Sequence, residues 1–203
     1  LLRVTFDLLH VQQWWWGAIT LGIALFTGLF GAVFAAVQTD MKRLLAYSSI
    51  ENIGLIFSAV GLTIVFHAFG LHLFAALALS AALIHCLNHA LFKSLLFLAT
   101  GSVLHATGQR NLGKLGGLIR HMPWVAALAL VGTLAIAGLP PLNGFVSEWL
   151  LLQAFLLTPQ IPHAFVASRC LPLGIALPEP GHYGVGAFFT SRDPGPQQYG
   201  MAL

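Results

Sequence analysis

The stretch ALIHCLNHALFKSLLF, residues 82–97, carries His85, His89 and Lys93 at intervals of four residues inside a long apolar run. The run extends from about residue 73 to residue 104. A helix of about 20 mostly apolar residues can cross a lipid bilayer, so this run is long enough to span one at a tilt. Residues four apart lie above one another on a helix. The stretch therefore predicts a transmembrane helix with three ionisable side chains along one ridge.

The composition of the whole chain also indicates a membrane protein. Of its 203 residues, 58% are hydrophobic and only 7% are charged, whereas soluble domains carry roughly a quarter charged residues. Nine Lys and Arg against six Asp and Glu give a net charge of +3. These few scattered basic residues exclude a nucleic-acid-binding surface.

Three further apolar runs predict spans at about residues 14–37, 44–66 and 123–157. The first opens with three tryptophans, which is typical of a membrane interface. The last is interrupted by GLPPLNG, residues 138–144. The predicted fold is all-α: a polytopic membrane helix bundle of about four transmembrane helices, the last broken at Pro140–Pro141.

The loops predict how the bundle is oriented. Lys42 and Arg43 lie between the first two spans, and Arg110, Lys114 and Arg120 lie between the third and fourth. The turn between the second and third spans has no Lys or Arg. The positive-inside rule places the two basic loops in the cytoplasm, so we expect a multi-pass protein of the inner (cytoplasmic) cell membrane.

The domain organisation is predicted to be a short flank, a bundle and a tail. Residues 1–13 would flank a truncated N-terminal half, and residues 14–158 would form part of a proton-translocation bundle. Residues 159–203 hold seven of the ten prolines and six glycines, which would leave backbone groups unsatisfied in lipid. The sequence leaves open whether this irregular segment is an extramembrane tail or the product of a reading-frame shift. We expect the chain to be a piece of a longer protein.

The ridge of His85, His89 and Lys93 favours a proton pathway. An ionisable residue at the centre of a span costs about 2.5–3.5 kcal/mol on insertion scales, so such residues usually face a bundle interior or water. A neutral imidazole both donates and accepts hydrogen bonds and can relay protons near neutral pH. Two alternatives stay open: hydrogen bonding between helices, and zinc binding by the histidine pair, which no HExxH pattern supports.

Two carboxylates extend this hypothesis to other spans. Pro140 and Pro141 each lack a backbone donor and break the helix, and Glu148 follows one turn beyond the break. Discontinuous helices at membrane depth bind ions in transporters. The alternative is a kink without function, with Glu148 at the outer interface. Glu51, in the second span, is either a relay position or a structural hydrogen-bonding group.

The chain carries no signature of a redox cofactor. It contains no CxxC, GxGxxG or haem-attachment pattern, and Cys86 and Cys170 have no paired spacing. Neither an iron–sulfur site nor a disulfide framework is indicated. We therefore expect no bound cofactor and no resident metal, and any enzymatic role would be that of a non-redox subunit.

Four motifs in order carry a resemblance to a known family: QTDMKRLLAYSSIENIG (38–54), HALFKSLLFLATGSVLHATG (89–108), LGGLIRHMPW (115–124) and AGLPPLNGFVSEW (137–149). Together they resemble the antiporter-like proton-translocating membrane subunits of respiratory complex I and membrane-bound hydrogenases. Within that family, SSIENIG and PPLNGFVSEWLLLQAF are most similar to component B of hydrogenase-4 and formate hydrogenlyase complexes. The resemblance covers about residues 15–157, and it implies the ninth to twelfth helices of a fourteen-helix core.

The resemblance also implies roles for single residues. His85, His89 and Lys93 would form the central relay, and Glu148 would lead protons to the outer side. The implied partners are other membrane subunits and peripheral, hydrogenase-type redox subunits, where electron transfer would occur. The family's first half-channel has no counterpart in this sequence. Two alternatives remain: a subunit of a multi-subunit cation/proton antiporter, and a membrane anchor with a purely structural role.

Overall fold

The structure, a computed structural model, describes residues 13–140 and 142–156. Within these ranges the regular structure is helical, apart from one isolated β-bridge between Asp40 and Asn111. The helices are α1 (Trp14–Ala36), α2 (Met41–Ala68), α3 (His72–Thr107), α4 (Leu118–His121), α5 (Pro123–Ile136) and α6 (Asn143–Leu156), with a 3-10 turn at Leu112–Lys114. The all-α prediction is confirmed.

Three of the helices are long and apolar enough to cross a membrane: α1 with 23 residues, α2 with 28 and α3 with 36. The fourth predicted span is two 14-residue helices, α5 and α6, on either side of the predicted break. Gly138, with a φ of 61°, lies in the connection together with Pro140. Pro141, residues 1–12 and the tail at 159–203 lie outside the described residues.

The two basic loops lie together at one end of the bundle. The backbone N–H of Met41 donates to the Arg110 carbonyl at 3.1 Å, and that of Leu112 donates to the Thr39 carbonyl at 2.9 Å. Asp40 also caps α2, because its carboxylate accepts from the N–H groups of Lys42 and Arg43. Placing both loops at the same end agrees with the predicted topology, and their cytoplasmic location stays a prediction.

Glycines allow α1 to pack closely against α2. A Cβ added at Gly54 would lie 2.5 Å from the backbone nitrogen of Gly28, and one at Gly17 would lie 2.7 Å from the Gly61 carbonyl oxygen. Small residues at such crossings let helix backbones approach closely in membranes. Helix α3 packs on α2 and also on α5 and α6. Because α2 lies between α1 and α3, five polar residues of α2 are buried inside the bundle: Ser48, Glu51, Asn52, Ser58 and Thr63.

Candidate functional site

His85 connects three helices at the centre of the bundle. Its side chain is 2% exposed. Nδ1 lies 2.9 Å from the Ser147 hydroxyl of α6, and Nε2 lies 3.2 Å from Asn52 Oδ1 of α2. The buried ring is therefore hydrogen-bonded on both sides, as buried polar groups generally are.

Lys93 lies two turns further along α3 and faces the first turns of α2. It is 5% exposed, and its ammonium donates to the Ser48 hydroxyl at 2.7 Å and to the Leu45 carbonyl at 3.2 Å. The charge of Lys93 interacts with Glu51 and with His89. Lys93 therefore lies near one histidine of α3, His89, and near the Glu51 carboxylate of α2.

Two buried polar atoms in this region have no hydrogen-bond partner within residues 13–140 and 142–156: Glu51 Oε2 and His89 Nε2. Glu51 is 3% exposed, whereas His89 is only partly buried and meets Phe92 edge-on at 5.6 Å between ring centroids. Buried polar groups normally find a partner, and an exception calls for an explanation. Whether Glu51 is a relay position or a structural hydrogen-bonding group stays a prediction.

The helix break holds Glu148 in place. A Cβ added at Gly138 would lie 2.5 Å from Glu148 Oε2, so the carboxylate packs against this glycine. Gly144, at the start of α6, comes into close contact with the Ala135 carbonyl at the end of α5. The charge of Glu148 interacts with that of Glu51 on α2. The break therefore places an ionisable side chain of a third helix, Glu148 of α6, near Glu51.

Asn88 fixes the beginning of α6 against α3. Its amide nitrogen donates to the Asn143 carbonyl at 2.7 Å and to the Ser147 hydroxyl at 3.2 Å. Its amide oxygen accepts from Asn143 Nδ2 at 3.3 Å. The Asn88 side chain thus forms its hydrogen bonds with α6, and none of the hydrogen bonds described for it involves His85, His89 or Lys93.

The structure places the predicted residues near one another but divides the ridge. His85 faces α2 and α6, Lys93 faces α2, and His89 between them is half-buried. Glu51 is buried on α2 within the electrostatic influence of Lys93, and the Glu148 carboxylate packs against Gly138 at the break. Whether these five residues conduct protons stays a prediction.

Sequence reasoning missed three polar partners: Ser48, Asn143 and Ser147. Of the three, Ser147 was the easiest to identify from the sequence, because it directly precedes Glu148 and lies three residues after Gly144 in the first turn of α6. The zinc alternative gains no support. Within the described ranges no three His, Cys, Asp or Glu side chains come close enough together to hold a metal ion.

Comparison with known sequences identifies relatives over most of the chain. Residues 1–170 match the family described as "NADH:quinone oxidoreductase/Mrp antiporter, TM". Hydrogenase-4 component B of Escherichia coli is 44% identical over 153 residues, which are 73% of this chain and 22% of that protein. A Na(+)/H(+) antiporter subunit from Bacillus subtilis is 42% identical over 136 residues, 67% of this chain and 17% of that protein.

Solved structures share the fold. A chain of the Mrp complex from Dietzia is 32% identical with a TM-score of 0.67, and the match covers 86% of this chain and 18% of that one. A chain of an archaeal membrane-bound sulfane sulfur reductase is 31% identical with a TM-score of 0.70, covering 86% and 26%. The sequence spans only about a fifth of the length of the curated relatives it matches.

Proposed function

Because the chain belongs to the NADH:quinone oxidoreductase/Mrp antiporter transmembrane family, we propose that it forms part of a proton pathway in a larger redox-driven complex. It is an antiporter-like multi-pass membrane segment. The complex would be of the hydrogenase or NADH–quinone oxidoreductase type. Partner subunits would carry out electron transfer, and this segment would couple it to proton movement.

The observation that carries the proposal is the buried ammonium of Lys93 near Glu51 and His89. A charge inside an apolar bundle is costly and typically marks an ion or proton pathway. Lys93 is 5% exposed and Glu51 is 3% exposed, yet each interacts with a further ionisable group. Packing alone does not require such a cluster, because an apolar side chain would fill the same space without the cost of desolvation.

The proposed route follows the helices across the bundle. At the end near the basic loops a proton would pass between the Lys93 ammonium and the Glu51 carboxylate, and His89 and His85 would continue the route along α3. Glu148, at the break between α5 and α6, would lead toward the opposite side. The five members lie on three helices, α2, α3 and α6, so small movements of these helices would open or close individual steps.

The names of the relatives support the proposed setting. Two Escherichia coli relatives are named as a component of hydrogenase-4 and a subunit of formate hydrogenlyase, and the matched structures are membrane complexes. We therefore propose neighbouring membrane subunits and peripheral redox subunits as partners, and the inner cell membrane as the location. The proposal places no redox cofactor on this chain.

The test uses the full-length subunit in its complete complex, reconstituted in vesicles. Glu148→Gln, which keeps the size of the side chain and removes its charge, should abolish proton translocation and leave the redox activity of the soluble subunits largely intact. Trp149→Phe is the control, because this neighbouring side chain is 47% exposed. Normal proton translocation by Glu148→Gln would overturn the proposal.

A second candidate function is cation/proton antiport, which the similarity to the Bacillus subtilis antiporter protein favours. The two candidates differ in what drives transport. An antiporter would move protons in response to an imposed Na⁺ or K⁺ gradient without any redox substrate. A redox-coupled subunit would respond only when electron donor and acceptor are supplied.

A further inference from the structure

The hydrogen bonds around His85 constrain where its ring protons lie. Asn52 Nδ2 donates to the Ser48 carbonyl at 2.9 Å, and a carbonyl can only accept. The amide nitrogen of Asn52 must therefore face Ser48, which leaves its oxygen facing His85 Nε2 at 3.2 Å. An amide oxygen also only accepts. Nε2 of His85 thus carries a proton whether the ring is neutral or charged.

The Ser147 hydroxyl faces the other ring nitrogen of His85, and its single proton can be donated to either of two acceptors, His85 Nδ1 or the Gly144 carbonyl. Its oxygen lies 2.9 Å from His85 Nδ1 and 2.9 Å from the Gly144 carbonyl, and it accepts from Asn88 Nδ2 at 3.2 Å. If His85 is neutral, Nδ1 is an acceptor and the hydroxyl donates to it. If His85 is charged, Nδ1–H donates to the hydroxyl oxygen, and the hydroxyl proton turns to Gly144.

We infer that Ser147 is a positioning residue whose hydroxyl turns between His85 Nδ1 and the Gly144 carbonyl as His85 loses or gains a proton. When a protonated acid of the proposed pathway donates its proton to the Ser147 oxygen, a new O–H bond forms, the acid is left as its conjugate base, and the original hydroxyl proton passes to Nδ1. The ring gains one positive charge and Ser147 keeps one proton, so the step balances. Every donor and acceptor of this group is matched before and after it.

This arrangement changes the role of His85 within the proposed pathway. A ring that relays protons straight through must release one from Nε2, but that proton is held on the amide of Asn52, which does not titrate. His85 therefore takes up and releases protons at Nδ1 alone, through the first turn of α6. The ionisable residues nearest to this group along each packed helix are His89 and Lys93 on α3, Glu51 beside Asn52 on α2, and Glu148 beside Ser147 on α6; of these, His89 acts electrostatically on His85.

The first test does not depend on transport, although the inference otherwise rests on the proposed function. Nitrogen-15 NMR of histidine-labelled full-length protein, assigned with His85→Gln, reports which ring nitrogen is protonated. The neutral wild-type ring should carry its proton on Nε2. In Asn52→Leu, which removes the Nε2 acceptor, the neutral proton should move to Nδ1. A wild-type neutral ring protonated on Nδ1 would overturn the inference.

The second test compares two buried serines. Ser147→Ala removes the hydrogen-bond partner of Nδ1 in both ring states, and the bond to the charged ring is the stronger, so the protonated fraction of His85 at a fixed pH, read from the same spectra, should fall roughly fivefold to tenfold. Ser58→Ala is the matched control, because Ser58 is also fully buried and donates to the carbonyl three residues earlier, that of Leu55. An unchanged protonated fraction in Ser147→Ala would contradict the inference. If Glu148→Gln transports normally, only the proposed function fails, and the spectra still decide this inference.

Discussion

Replacement of Lys93 by methionine separates a transport role from a packing role. Methionine is close to lysine in length and is apolar, so Lys93→Met removes the ammonium and its hydrogen bonds to Ser48 Oγ and the Leu45 carbonyl. Each hydrogen bond to a charged group contributes about 1.5–3 kcal/mol. The Leu45 carbonyl keeps another donor, because the Ser49 hydroxyl lies 2.9 Å from it.

The opposing contribution is the desolvation of a side chain that is 5% exposed. Burying an ammonium costs several kcal/mol even after relaxation, and Lys93→Met removes that cost. The two contributions are similar in size and opposite in sign. We therefore expect the free energy of unfolding to change by less than about 2 kcal/mol, while proton translocation falls to background.

The assay measures both quantities on the full-length subunit in its complex. Thermal unfolding in detergent reports stability, and acidification of the vesicle interior during redox turnover reports proton movement. Lys42→Met is the control, since Lys42 is an exposed residue at the same end of the bundle. If Lys93 only joined helices, its loss would destabilise the protein by more than this limit of about 2 kcal/mol, and transport would fall only as far as folding does. That result, or normal transport in a stable variant, would refute the reasoning.

Three further substitutions test the framework around the site. Gly138→Ala should reduce proton flux severalfold in a folded protein, because the positive φ disfavours a side chain by about 1–2 kcal/mol and the new Cβ meets Glu148 Oε2 at 2.5 Å; vesicle assays measure this. Gly31→Ala should destabilise the α1–α2 contact by about 1–3 kcal/mol, since its Cβ would overlap the backbone nitrogen of Glu51; thermal unfolding measures this. Asp40→Ala should cost about 1 kcal/mol through the lost cap of α2 and leave flux unchanged.

Two open glycines provide matched controls for these alanine substitutions. Nothing lies within 4 Å of a Cβ added at Gly22 in α1 or at Gly101 in α3. Alanine is the better helix former by about 1 kcal/mol, so Gly22→Ala and Gly101→Ala should be neutral or stabilising. Destabilisation as large as that in Gly31→Ala would contradict the close-contact explanation.

The spans and the broken helix followed from local properties of the sequence. The length of an apolar run sets whether a helix can cross a bilayer, and the predicted spans at 14–37, 44–66 and 73–104 correspond to α1, α2 and α3. Proline and glycine act on their own backbone, so the interruption at 138–144 was also visible without any tertiary information. The predicted junction lies between the end of α5 and the start of α6.

The division of the ridge could not be read from spacing alone. Each interval of four residues advances about 40° beyond a full turn of a helix, so His85 and Lys93 point in directions about 80° apart. Which neighbour each one meets depends on where α2 and α6 cross α3. His85 consequently bonds both of these helices, Lys93 bonds α2, and His89 between them is only half-buried.

The sequence by itself determined that this protein is a helical membrane bundle with ionisable groups inside it, because hydrophobic length, charge and helix breaking are local. Only the tertiary structure decided which partners those groups have: Asn52 and Ser147 for His85, Ser48 for Lys93, and Gly138 for Glu148. These contacts join residues from 33 to 62 positions apart in the hydrogen-bonded cases. They depend on helix crossings that the close approach of small residues sets, and no local pattern specifies that geometry.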